Sequence, residues 1–164
     1  MLIDIRTVPR SRRNPQFEQS ELAASLGSVQ IGYYWMRSLG GLRHPHKDSI
    51  NDGWRNSSFR GYADYMQTPE FSHAIEELLT FSGEGTVLMC AEAVPWRCHR
   101  SLVGDALLAR GVSVDDIFHD AKGKSHRKPH ELTPFARVDG KRVWYPAGDG
   151  LFTAPPPDER KDQP

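Results

Sequence analysis

Between Cys90 and Arg100 the chain reads Cys-Ala-Glu-Ala-Val-Pro-Trp-Arg-Cys-His-Arg, placing two thiols, a carboxylate, an imidazole and two guanidinium groups within eleven positions. These are the groups of nucleophilic, acid–base and anion-binding chemistry. A thiol at a helix N-terminus beside an imidazole and an arginine is expected to ionise easily. Cys98, flanked by His99 and Arg100, is therefore the candidate reactive thiolate, and Cys90, at the end of an apolar run, the candidate packing residue. Glu92 leaves that same run. A carboxylate there is either paired with an arginine such as Arg6 or Arg100, or held for work as general acid, base or nucleophile. Glu92, Cys98 and His99 are the candidate catalytic residues.

The anion-binding candidates are Arg6, Arg10, Arg97 and Arg100. A helix starting near Cys98 would aim free N–H groups and its positive dipole end above the strand end, and arginines could clamp a phosphate or carboxylate bidentately. Ready-made motifs fit poorly. Cys90 to Arg97 is one position longer than the cysteine-phosphatase spacing and lacks a glycine-rich cradle. Zinc held by Cys90, Cys98 and His99 would need a distant fourth ligand, and adjacent residues rarely both ligate one tetrahedral ion, so no metal is expected. The cysteine spacing is not that of a Cys-x-x-Cys redox pair. No dinucleotide or P-loop pattern occurs, and the sequence names no cofactor.

The elements that must position this segment alternate. Residues 1–6 and 86–91 read as buried strands, the second apolar on both faces and so expected at the centre of a sheet. Residues 30–36 read as a short aromatic strand, and 114–118 as a last parallel strand. Helices are expected over 17–26, ended by Gly27, and over 59–66. A further helix follows Thr68-Pro69 to about residue 82, and another runs from about 98 to Gly111. Residues 43–61 form a long ordered loop of the kind that covers a site. The pattern predicts a small, open, mostly parallel α/β sheet flanked by helices. A basic loop over 121–129 and a hairpin turned on Asp139-Gly140 should follow. One domain is expected over 1–152, with a disordered tail over 153–164.

With 21 basic and 21 acidic side chains the net charge is zero, which gives no support to whole-molecule attraction to nucleic acid or anionic lipid. The charge is uneven, however: residues 1–60 carry nine basic and five acidic groups, leaving room for a local basic patch. No apolar run approaches the roughly 18 residues of a membrane helix and no secretory leader opens the chain, so no membrane partner and a cytoplasmic location with reduced thiols are expected.

Asp4-Ile-Arg6 with Pro9-Arg-Ser11, Leu39-Gly-Gly41, Phe59 and Tyr62, Cys90-Ala-Glu92 with Cys98-His-Arg100, and Leu132 to Arg137 with Tyr145-Pro146 together resemble the bacterial and archaeal family called domain of unknown function 488. The resemblance implies an α/β domain and a site that gathers the Asp-x-Arg, Cys-x-Glu and Cys-His-Arg segments, without an agreed activity. Members usually open with a further strand and helix, whereas this chain starts at the Asp-x-Arg strand. An exposed sheet edge inviting self-association is the corresponding expectation. Three functions compete. One is an enzyme acting on a phosphorylated or nucleotide-like small molecule. The second is a nucleic-acid-binding or processing module using Arg10–Arg13, Lys122–Lys128 and the aromatics Tyr33, Tyr34, Trp35 and Trp54. The third is a noncatalytic regulatory domain in which the charged cluster is structural.

Overall fold

The computed structural model describes residues 1–81, 83 and 85–148. Its organising element is β1 (Leu2–Asp4), which lies between two parallel neighbours, β2 (Tyr33–Trp35) and β3 (Val87–Met89). Asp4 stands opposite Trp35 on one side and Met89 on the other. The central place thus belongs to β1 and not to the 86–91 run. Ile3, Asp4 and Ile5 are fully buried, whereas Val87 is 39% exposed on its edge strand. Two-sided burial is what a central parallel strand requires.

Among the described residues four α-helices complete this layer: α1 (Gln19–Ser28), α2 (Ser57–Tyr65), α3 (Pro69–Thr80) and α4 (Arg100–Leu108). The start of α3 is set as its sequence predicts, since Thr68 accepts the Phe71 N–H on its hydroxyl and Pro69 takes the first turn. Phe71, Ala74, Ile75 and Leu78 then enter one core with Leu102, Val103 and Ala106 of α4. The stripe expected on the first helix is weaker, because only Leu22 is buried there and Phe17 stays exposed in a preceding 3-10 turn. Nor does Gly27 end it. Gln30 adopts the left-handed conformation (φ 59°), and Ile31 N–H reaches back to the Leu26 carbonyl.

The long loop after Gly40 is fixed by a single buried carboxylate. Asp64 of α2 accepts from His46 N–H at 2.8 Å, the Ser49 hydroxyl at 2.6 Å and the Asn51 amide at 2.8 Å. Asn51 in turn accepts the Tyr145 N–H at 2.9 Å, tying the loop to the C-terminal segment.

Beyond α4 the sequence expectation needs correction. The run read as a last parallel strand is β4 (Asp115–His119), and it pairs antiparallel with β5 (Ser125–Pro129), the stretch read as a basic loop. Its burial alternates and Ile117 is exposed, so it has one covered face and not the two that the parallel sheet demands. Asp120 makes the turn by accepting from Lys122 and Lys124 N–H, each at 2.9 Å. The hairpin on Asp139-Gly140 forms as expected, from β6 (Arg137–Asp139) and β7 (Arg142–Trp144), with Gly140 at φ 55°. His130, Tyr145 and Thr133 N–H all converge on the buried Asp105 of α4. The tail expected over 153–164 lies outside the described residues. Among the described residues no helix is long and apolar enough to cross a membrane.

Candidate functional site

The segment 90–100 leaves β3, crosses a 3-10 turn (Pro95–Arg97) and enters α4. The helix starts at Arg100, two residues later than expected. Cys98 is extended (φ −128°, ψ 141°) and His99 is the N-cap. At this start the helix N–H groups meet partners within the chain. Arg100 N–H points at Cys98 Sγ (3.4 Å), Ser101 N–H at the Cys98 carbonyl, and the N–H groups of Leu102 and Val103 at the His99 carbonyl. The positive end of α4 is therefore directed at a sulfur.

Cys90, Cys98 and His99 meet. Their donor atoms lie within 4.8 Å of one another, with His99 Nδ1 3.8 Å from Cys90 Sγ and 3.9 Å from Cys98 Sγ. The expected roles of the thiols are exchanged in exposure, since Cys98 is 1% exposed and Cys90 only partly covered. The two thiols act on one another: Cys90 is drawn down, chiefly by the Cys98 side chain and further by His99, although burial opposes this. Cys98 is pushed up by the same contact and by burial.

Arg100 is committed within the cluster. Its Nε lies 3.3 Å from Cys98 Sγ, and its Nη2 donates to the Glu92 carbonyl. Arg6 is buried and bound to Asp4, with Nη1 donating to the Phe17 carbonyl at 2.8 Å. Its pKa is raised by the Asp4 contact. Arg10 is exposed and lines a separate depression of about 780 Å³ with Glu18, Tyr33, Trp35 and Arg37. Arg97 is exposed and lines a smaller one, of about 100 Å³, with Glu92, Cys98, His99, Gly41, Ser58 and Phe59. Of the seven candidates the structure thus gathers Glu92, Arg97, Cys98, His99 and Arg100, and sets Arg6 and Arg10 apart in other contacts.

Tyr62 and Gly41, both among the residues that carry the family resemblance, also join the cluster. Tyr62, fully buried, packs its ring 4.8 Å from that of His99 and donates to the Leu39 carbonyl at 3.0 Å. Gly41 lies so close that a Cβ there would stand 2.4 Å from His99 Nδ1. The proposed stacking aromatics are engaged elsewhere. Tyr33 and Trp35 hydrogen-bond to Asp4 and Arg6, Tyr34 packs on Phe81, and Trp54 packs against Phe59 and Phe135.

A family model described as "Domain of unknown function DUF488" matches residues 1–107. That span includes the Asp4–Arg6, Cys90–Glu92 and Cys98–Arg100 segments and stops short of the stretch from Leu132 to Pro146. No curated protein and no solved structure matches the chain.

Proposed function

The chain belongs to the DUF488 family, and from that premise we propose that it is a small cytoplasmic enzyme acting on a phosphorylated or nucleotide-like molecule at the end of β3. One observation carries this reading: Glu92 and Arg97, both exposed, line the same small depression whose floor is His99 and Cys98. Arg97 supplies a guanidinium to an anionic group. Glu92 supplies a carboxylate able to give or take a proton, and His99 a second such group. A space of about 100 Å³ holds only the reacting end of a substrate, so the remainder of the molecule lies over the rim formed by Ser58 and Phe59.

The test is a panel of sugar phosphates, nucleotides and carboxylate esters followed by NMR. Turnover of one class is expected, with Glu92→Gln lowering it by about 10²–10⁴-fold while the fold is kept, and Arg97→Ala raising KM. The enzymatic reading fails if no compound is converted, or if Glu92→Gln converts it as well as the unaltered chain. Oligonucleotide binding that collapses with salt and ignores Arg97→Ala would favour the nucleic-acid module in its place.

A further inference from the structure

We propose that Cys90, Cys98 and His99 hold a soft divalent cation of the zinc type, with a fourth coordination position open to the depression beneath Glu92 and Arg97. Two thiolates and an imidazole are the donor set such ions prefer. The inference deepens the enzymatic reading in what the ion would do there, whereas ion binding itself stands independently of turnover.

The spacing of the donors fits. With zinc–sulfur and zinc–nitrogen bonds of ordinary length, the sulfur-to-nitrogen edge of a tetrahedron is roughly 3.6 Å, and His99 Nδ1 lies 3.8 Å and 3.9 Å from the two sulfurs. Sequence adjacency of Cys98 and His99 argued against shared ligation, but the backbone changes direction between them. Cys98 is extended and His99 already helical (φ −59°, ψ −10°), and both side chains reach the spot where Cys90 arrives from β3.

Hydrogen bonding points the same way. Cys98 receives the Arg100 N–H at 3.4 Å, and Arg100 Nε adds a second donor at 3.3 Å. Donors of this kind stabilise sulfur as thiolate and orient metal ligands. A divalent cation would hold both sulfurs as thiolates, with the Arg100 guanidinium beside Cys98.

The open position rests on the depression of about 100 Å³, whose lining brings Cys98 and His99 together with Glu92, Arg97 and Gly41. Three protein ligands with room for water or a substrate oxygen are the arrangement of a catalytic ion rather than a structural one. Such an ion lowers the pKa of its bound water or polarises a substrate oxygen, and Glu92 lines the space where the released proton would be taken.

The test uses cobalt(II) as probe, titrated into the full chain kept reduced with a non-coordinating phosphine. One equivalent should bind, with the strong visible bands of four-coordinate cobalt and a sulfur-to-metal charge-transfer band, and zinc should displace it. Cys90→Ser, at the more exposed thiol, should weaken binding by at least about a hundredfold and remove part of the charge-transfer intensity. His99→Ala should shift the visible bands, and Glu92→Gln should leave stoichiometry and spectrum unchanged. Circular dichroism on each variant separates ligand loss from unfolding. Absence of cobalt binding, weak bands without charge transfer, or unchanged affinity in Cys90→Ser would overturn the site. So would ready formation of a Cys90–Cys98 disulfide in a chain that takes up no ion. Full binding without any turnover would instead leave the ion in place and remove the enzymatic reading.

Discussion

The Arg6 guanidinium curls back onto Asp4, two residues earlier in the chain, with Nε 2.9 Å and 3.0 Å from the two carboxylate oxygens. Tyr33 donates to the same carboxylate at 2.7 Å, and its own pKa is pushed up to about 12, first by burial and then by Asp4. Asp4 is fully buried. Removing its partner leaves a charge in the core of the parallel sheet. Arg6→Ala should therefore destabilise the fold by about 3–5 kcal/mol, measured by urea unfolding. Arg6→Lys should recover only part of this, because an ammonium cannot reproduce the fork.

Stability should fall between neutral and alkaline pH through His130. Its side chain is 5% exposed and bridges Asp105 at 3.2 Å and Asp116 at 2.9 Å, which raise its pKa to about 9, Asp105 most strongly and against the effect of burial. A raised histidine contributes fully below its unfolded pKa near 6.5 and loses that contribution as pH climbs through about 9. The loss should be on the order of 2–3 kcal/mol. Urea midpoints from pH 6 to 10 check it, and His130→Gln should flatten the profile.

Asp64→Ala should release the 43–56 loop. Three donors lose their acceptor at once, His46 N–H, Ser49 and Asn51. A cost of about 2–4 kcal/mol is expected, and limited proteolysis should cut first within the loop.

Gly41→Ala tests the packing of His99 without removing a ligand. The new Cβ would meet Nδ1 at 2.4 Å and Cε1 at 2.7 Å, so the ring must move. A loss of about 1–3 kcal/mol and weakened cobalt binding are expected. Gly27→Ala in α1 is the matched control, with nothing within 4 Å of its Cβ. It should be neutral or stabilise by about 0.5–1 kcal/mol.

Local patterns made the helices legible. Thr68-Pro69 marked the start of α3, and the spacing of Phe71, Ile75 and Leu78 marked its buried face. The parallel neighbours of β1 were harder to place, since strands of three residues are too short for periodicity to separate centre from edge. β4 and β5 misled for a related reason, because a charged, half-covered hairpin resembles loop in composition. At the site, the crowding between Cys90 and Arg100 announced itself. The depth of Cys98, the sulfur-directed N–H groups and the approach of Gly41 all depend on contacts between distant segments, which residue types do not encode. Asp4 illustrates the same limit, since its partners Arg6 and Tyr33 are chosen by packing.

Asp105 places a thermodynamic boundary where the family match would not. The match ends at residue 107, inside α4, yet the fully buried Asp105 carboxylate is satisfied by Tyr145 at 2.7 Å, Thr133 N–H at 3.0 Å and His130. A chain cut after residue 107 would lose all three partners of Asp105 at once, and with them the cover on the helix whose first turn supports Cys98 and Arg100. An excised or transplanted version of the site that ends where the match ends should therefore be less stable than one carrying the chain on to Tyr145.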